Sequence, residues 1–488
     1  MLKLFLTLFL VQICLGVQEY YVGGLKNNGD SPTTTLLITG SDGATSVTIR
    51  NISTTISSFS LDNHQSMELV LPYDISVLNS SYSQRNKGVK IQSSAAISVV
   101  VLSQNGNSSD AYQMHEETSH NQLGNYVYYA LTPGASRSET VSSALYYSQI
   151  LLLGRESETS VTIKPTQSIN ISTDLQSESD LALVESGSSY TGVLHEYQTL
   201  LIQSPLDLTL TQIISTKPLT VITGHECASF GSPTCSYIAE QIPPTIDWGT
   251  QFILSPLGTN DSQTHVILNS EENQDALITL SCTNGSIEQF TIPPGSLRYT
   301  SGPFGVFCTL DSSSALLVGL ITNGSHPLMS LVPPILAFQT TELRFTSFSC
   351  TTKTYITLLL HNFNASNSNA NIDPLVGITR NAIKVSSNNS AVSLTIDTEL
   401  SNYTGLVVIN SSGALVYNTN DDGNSCLFSY TPNWSRSISA SILTFAKSSY
   451  TVSEGDESVL IGINRTLDLN TETQAVISVS GGTEGESL

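Results

Sequence analysis

The stretch GHECASFGSPTCSYIAEQIPPTIDWG, residues 224–249, carries two cysteines in one short loop, a Pro-Pro step and one of the two tryptophans of the chain. It follows a strand-like run, LTVIT, at residues 219–223. Cys227 and Cys235 are near enough in sequence to close a small hairpin-like loop. Pro243 and Pro244 hold the following chain extended, and Trp248-Gly249 supplies a large apolar anchor beside a tight turn. With Gly224, His225 and Gln241, the segment reads as a stapled corner in a β-rich, exported protein.

Export is legible at the amino terminus as well. Residues 1–16, MLKLFLTLFLVQICLG, place Lys3 before a short apolar run that ends in small or neutral residues, the grammar of a secretory signal peptide cleaved after Gly16. The run is shorter than the ~20 apolar residues that span a bilayer, and no later segment reaches that length. Loss of Cys14 from the seven cysteines leaves Cys227, Cys235, Cys282, Cys308, Cys350 and Cys426. An even set in an exported chain favours disulfides. Proximity suggests Cys227–Cys235, Cys282–Cys308 and Cys350–Cys426, although six cysteines allow about fifteen connectivities.

N-glycosylation sequons fit the same compartment. They fall at Asn51, Asn79, Asn107, Asn170, Asn260, Asn284, Asn323, Asn364, Asn388, Asn402, Asn410, Asn433 and Asn464; a chain carrying many glycans exposes many turns. The net charge of −22 comes from 40 acidic against 18 basic residues. Without a basic stripe to release phosphate counterions, nucleic acid and anionic membranes are excluded as partners.

A chain of 488 residues is too long for one core and suits roughly three to five domains. Short runs such as SVTIRN, QILLLG, VTIKP, HVILNS and YITLLLHN alternate with Ser/Asn/Gly/Pro turns, and helical periodicity is scarce. The expected fold class is all-β, built of tandem β-sandwich-like units. One pattern recurs: KGVKIQSSAAISVVVLS (87–103), LTLTQIISTKPLTVITG (208–224), GVFCTLDSSSALLVGLIT (305–322) and GLVVINSSGALVYNT (405–419) each join two apolar strands across a short polar turn. Read as hairpins, each burying one face against an opposing sheet, they imply four related units.

Residues 224–249 resemble the domain family found at the amino terminus of IgG Fc-binding protein, with its G-H-x-C, C-x-x-x-x-E-Q-x-P-P and W-G progression. Upstream, KGVKIQSSAAISVVVLSQNGNSSDAY and LGNYVYYALTP match further pieces of that pattern, and LVPPILAF matches its closing Pro-Pro element. The resemblance covers roughly residues 20–338, placing about three sandwich-like units in 17–338 and one more in 339–437. It implies a secreted, mucus-associated protein. Mammalian members add cysteine-rich von Willebrand-type repeats, whereas this chain has neither their cysteine density nor their G-D-P-H step. Antibody binding is not carried over, since the motif does not define the residues that contact IgG. At the carboxyl end, within 438–488, LTFAKSSYTVSEGDESVLIGINRTLDLNTETQAVISVSGGTEGES from Leu443 onward resembles the opening of a Calx-β domain. That resemblance makes Glu454, with Asp456 beside it, a weak calcium candidate.

Catalytic patterns are sparse. His115 and His120 in HEETSH are five apart, where a helical zinc pair needs four. His225, Cys227 and Cys235 could be drawn as a metal site, but oxidation of the sulfurs removes the thiolate ligands. The run NTNDDGNS from Asn418 to Ser425 imitates a calcium loop but has Ser429 where the bidentate glutamate belongs. The sequence therefore reads as a non-enzymatic, secreted, glycosylated binding or adhesion protein of mucus or matrix. Its expected partner is an extracellular protein or glycan, with no cofactor. The alternative is a secreted carbohydrate-active hydrolase on the same scaffold.

Overall fold

The computed structural model describes residues 18–338 apart from 73–83, 116–124, 134–145, 173–180 and shorter stretches; beyond 338 it describes the backbones of strands between Leu343 and Thr466. The described secondary structure is all β apart from two short 3-10 turns. Residues 17–436 form one compact unit and residues 437–488 belong to a second. In the second unit Ile442–Phe445 pairs antiparallel with Ile463–Thr466.

Within the large unit one strand order recurs. In the first set, Gln18–Val22, Val89–Ser93, Thr45–Arg50 and Thr55–Leu61 lie side by side in one sheet, and Ser66–Val70, Thr33–Gly40, Ile97–Asn105 and Ser108–Gln113 in another. Counted along the chain, the orders are first-sixth-third-fourth and fifth-second-seventh-eighth. The second set repeats them with Tyr126–Tyr129, Gln212–Ser215, Thr159–Lys164 and Tyr190–Leu194, facing Thr199–Ser204, Ser148–Gly154, Leu219–Ala228 and Ser236–Gln241. It adds a small hairpin, Ile169–Ser172 with Leu181–Val184. In the third set the sixth and seventh positions merge into one long strand, Cys308–Thr322. Its front half pairs with Gly249–Leu254 and Ala276–Cys282, and its rear half with Gln263–Asn269 and Met329–Leu331. The fourth set follows the scheme in Leu343–Thr346, Thr404–Val408 and Asn371–Ile372, and in Asn389–Asp397, Lys353–His361, Ser412–Thr419 and Phe428–Tyr430, but departs from it in the fourth strand, Ile378–Lys384, which pairs with Asn389–Asp397 in the second sheet.

This corrects the hairpin reading. The sixth strand of the first set pairs with the first and third, while the seventh pairs with the second and eighth. In the first, second and fourth sets the recurrent polar turn is thus a corner at which the chain passes from one sheet to the other, and in the third it lies within the continuous strand Cys308–Thr322. A serine bends it: Ser93 Oγ donates to Ala95 O at 2.7 Å, and Ser215 Oγ donates to Lys217 O at 2.7 Å. Such local side-chain to backbone bonds stabilise tight turns. In the third set Ser314 N donates to Ser312 Oγ at 3.2 Å at the same place.

The two sheets of a set differ in sequence because they differ in burial. An outer strand such as Thr45–Arg50 alternates between buried and exposed positions, so Val47 and Ile49 point into the core. The inner sheet is covered on both faces, which is why QILLLG, LTVIT and HVILN are continuous apolar runs. Ile150, Leu152 and Val221 fill the second set's core, while Leu151 and Ile222 between them belong to the first set's core. Likewise Val266 and Leu268 pack into the second core and Ile267 into the third. Each such Leu or Ile side chain contributes about 1.5–3 kcal/mol on burial, and successive sets are fused by shared core.

The eighth strands meet at one axis. Ser108–Gln113 lies against Ser236–Gln241, that against Met329–Leu331, that against Phe428–Tyr430, and the last returns to Ser108–Gln113. Asp110, fully buried, joins three sets: its carboxylate accepts from Ala111 N at 3.0 Å, Ala239 N at 3.3 Å and Met329 N at 3.3 Å. Glu240 accepts from Leu331 N at 3.3 Å. Burial, with the negative charge of Asp110 beside it, pushes the Glu240 carboxyl well above the usual range.

Candidate functional site

The motif segment begins on the central strand Leu219–Ala228, which runs between Ser148–Gly154 and Ser236–Gln241. A Cβ at Gly224 would collide with the carbonyl of Ile238, so only glycine lets the two strands close up there. His225 is buried and its Nδ1 accepts from Cys227 N at 3.0 Å. Burial pushes its pKa down to about 4, which keeps the ring neutral at physiological pH. Cys227 is bonded to Cys235, and Cys282 to Cys308. The first staple is also lashed to the first set: Asn28 Nδ2 donates to Cys227 Sγ at 3.3 Å, and Lys26 pairs with the buried Glu226 at 2.6 Å. A histidine turned onto its own backbone beside an oxidised cysteine pair makes this corner structural. Among the described residues no group of three His, Cys, Asp or Glu side chains is placed to hold a metal ion.

Beyond the corner, Gln241 Oε1 accepts from His115 N at 2.9 Å and ties the strand end to the first set. Pro243 and Pro244 then lead into a single 3-10 turn, Thr245–Asp247, with Pro244 extended at φ −62° and ψ 154°. Trp248 closes it: its indole Nε1 donates to Pro243 O at 3.1 Å and its ring lies 6.0 Å from that of Tyr129. At Gly249 a Cβ would meet the side chain of Pro334. Each special residue of the motif therefore has a backbone reason.

On the outer side of this connector lies a cleft of about 630 Å³, where the second and third sets meet. One wall is the strand Tyr126–Tyr129 with Gln212 beside it, the floor is Pro244–Ile246, and the opposite wall is Ser270, Asn273 and Gln274. The walls are fixed in place. Tyr129 Oη accepts from Gln212 Nε2 at 2.6 Å and donates to Ser270 O at 3.4 Å. Asn269, fully buried, pins the far wall by donating to Gln274 O at 3.1 Å and Ile292 O at 3.0 Å. No charged side chain occurs among the described lining residues.

Sequence reasoning stopped at the staple and missed both the cleft and the axial carboxyls. Asp110 and Glu240 sit inside the S-S-D-A-Y and E-Q pieces of the motif; Glu240 follows the apolar run YIA, which was a signal, whereas the polar strand SSDAYQ around Asp110 left none. The cleft is assembled from loops far apart in sequence and left none. Of the sequon asparagines, Asn51 and Asn284 are in Asx-type turns, accepting from Ser53 N at 2.9 Å and Ser286 N at 3.0 Å, and Asn170 is in the small hairpin. The side chains of the remaining sequon asparagines, with Cys350, Cys426, His120, Glu454 and residues 1–16, lie outside the described residues. No helix among the described residues is long and apolar enough to cross a membrane.

Fold and site together define an array of β-sandwiches fused through shared cores, stapled by disulfides and carrying a cleft whose described lining is rich in polar residues. The family described as IgGFc binding protein matches residues 119–418, more than half of the chain, and the chain belongs to that family. A human protein named IgGFc-binding protein is 23% identical over 152 residues, a stretch that takes in 30% of this chain and 3% of the human one. The match thus spans only a small part of that relative's length.

Proposed function

We propose that the chain is a secreted, glycosylated binding protein of the extracellular space, associated with mucus or matrix, and that it holds its partner in the cleft between the second and third strand sets without chemical turnover. The observation that carries this reading is the cleft itself: a preformed concavity on a scaffold with little freedom to lose on binding. Membership of a family named for binding an extracellular protein supports the reading, as do two disulfides. The segment likened to a Calx-β domain would add a further module, with Glu454 as a weak calcium ligand.

The test is capture. The full secreted chain, immobilised, is exposed to extracellular fluid and the retained molecules are identified by mass spectrometry, in parallel with Thr245→Arg and Asn273→Trp, which obstruct the cleft from its floor and rim. The expected result is a retained set that both variants lose while melting at the wild-type temperature. Identical retention by all three proteins would remove the cleft from the account.

A further inference from the structure

We infer that the N-glycans of the first three strand sets all leave from one end of the sandwiches, and that the opposite end, on which the cleft opens, is a sugar-free docking face for a folded protein. The docking half rests on reading the cleft as the binding surface. Strand direction carries the argument. Neighbouring strands in the two sheets of each of these sets are antiparallel. The sixth strand passes to the seventh at the corner or, in the third set, runs on into it. Every even-numbered strand therefore ends at the corner end of its sandwich, and every odd-numbered one starts there. Even-to-odd connections lie at the corner end and odd-to-even connections at the far end.

The sequons obey this division. In the first set Asn51 falls between the third and fourth strands, Asn79 between the fifth and sixth, and Asn107 between the seventh and eighth. Asn170 falls between the third and fourth strands of the second set. In the third set Asn260 falls between the first and second strands, Asn284 between the third and fourth, and Asn323 between the seventh and eighth. All are odd-to-even. Asn51, Asn170 and Asn284 are among the described residues; for the other four it is the strands on either side that lie at this end. No N-x-S/T triplet occurs in an even-to-odd connection of these three sets.

The cleft belongs to the bare end. Asn125 closes the connection into the second set, Thr245 and Ile246 lie in the connection into the third, and Ser270 and Asn273 lie between its second and third strands. The eighth strands run side by side in one direction: Tyr237 N donates to Ser108 Oγ at 2.8 Å, Ala239 N to Asp110 Oδ2 at 3.3 Å and His115 N to Gln241 Oε1 at 2.9 Å. Met329 N and Leu331 N donate in the same order to Asp110 and Glu240. The corner ends of the three inner sheets thus share one end of the axis. That end takes in the first set's connections at 41–44, 62–65 and 94–96, none of whose described residues lines the cleft. A small ligand needs the cleft alone. A protein interface covers about 800 Å² on each partner, and a bulky glycan rooted within that area would obstruct it. In the fourth set Asn364, Asn388 and Asn410 fall in even-to-odd connections, so the bare face is that of the first three sets.

Glycopeptide mass spectrometry of the full secreted chain should find sugar at Asn51 and Asn284; all seven sites unoccupied would overturn the sorting. Two added sequons test the face, with the proteins that the immobilised chain retains from extracellular fluid as the probe. Asp275→Thr makes Asn273 an acceptor at the cleft, and Gln65→Thr makes Asn63 one at the corner end of the first set. Each is used as its glycosylated fraction, confirmed by intact mass, beside Asp275→Val and Gln65→Val, which create no acceptor. We expect both added glycans to cut retention about tenfold or more, and both valine variants and the Asn51→Gln, Asn284→Gln double variant to retain as the wild type does. Retention should also survive enzymatic removal of glycans from the fluid. Loss with the Asn273 glycan but not the Asn63 glycan, or loss on deglycosylating the fluid, would overturn the protein partner and leave the cleft standing. Retention that survives both added glycans would overturn the face and the cleft reading together.

Discussion

Two connectors in this molecule share a backbone and differ in what they face. Pro243-Pro244 and Pro333-Pro334 each set an extended step, with φ −62° and ψ 154° at Pro244 and φ −68° and ψ 153° at Pro334. Each is followed by a three-residue 3-10 turn and an aromatic residue, Trp248 in one and Phe338 in the other. The first leaves Thr245 and Ile246 on the floor of the cleft. In the second, Pro334 is pressed onto the third set's first strand, bridging to Phe252 and filling the space over Gly249. Two prolines are enough to dictate the connector; whether it carries a cleft depends on what packs against it.

The largest expected effects come from the aromatic residues that close the two turns. Trp248→Ala and Phe338→Ala should each cost about 3–5 kcal/mol by denaturant unfolding, the range for deleting a buried large aromatic. Only Trp248→Ala should also abolish capture, because Trp248 supports Tyr129 on the cleft wall. Loss of capture in both, at a temperature where both are folded, would mean that the two connectors are not functionally distinct.

The disulfides should follow. Cys282–Cys308 closes a longer loop than Cys227–Cys235, with sequence separations of 26 and 8. Paired Ser substitutions should therefore cost about 3.5 and about 2.5 kcal/mol respectively on the chain-entropy account. Reversal of that order would show that the contacts of Asn28 and Lys26 around the first staple outweigh loop length. Gly224→Ala should cost about 2–3 kcal/mol by forcing strands apart at Ile238, with capture unchanged once the protein is folded.

The smallest effect concerns pH. His115, His225 and His265 are buried, and burial lowers their pKa values to about 3, 4 and 4. A depressed folded-state value means stability that is complete above about 6.5, where the unfolded imidazole is neutral, and lost as pH falls toward 4. Glu240 has the opposite sign: its raised value gives stability that is complete below the ordinary carboxyl range and lost as pH rises. The melting temperature should therefore pass through a maximum and fall on acidification. Neither ring nitrogen of His265 has a hydrogen-bond partner among the described residues. His265→Leu should accordingly reduce the acid loss, by about 1–3 kcal/mol at pH 4, and an unaltered acid limb would exclude His265 as a contributor.

Much of the fold was legible because inner and outer strands obey different patterning rules. The continuous apolar run at 149–154 and the alternating one at 45–50 have different periods because one sheet has two buried faces and the other has one. Strand pairing was not legible. A short polar turn such as Ser94–Ala96 permits a hairpin or a corner, and what decides is the position of strands dozens of residues away. The special residues of 224–249 pointed to a constrained corner, and Gly224, Pro244 and Trp248 each have a steric or hydrogen-bonding role there. The cleft escaped because its lining comes from strands and loops far apart in sequence, with no spacing to read.

Hydrogen exchange on the full secreted chain, with and without the extracellular fraction it captures, tests the central claim most directly. The account predicts slowed exchange at residues 125–127, 245–248 and 273–274 around the cleft, with the edge strand Ile287–Ile292 unchanged. Protection of that edge strand or of the stapled loop at 227–235, with the cleft segments exchanging as before, would contradict it.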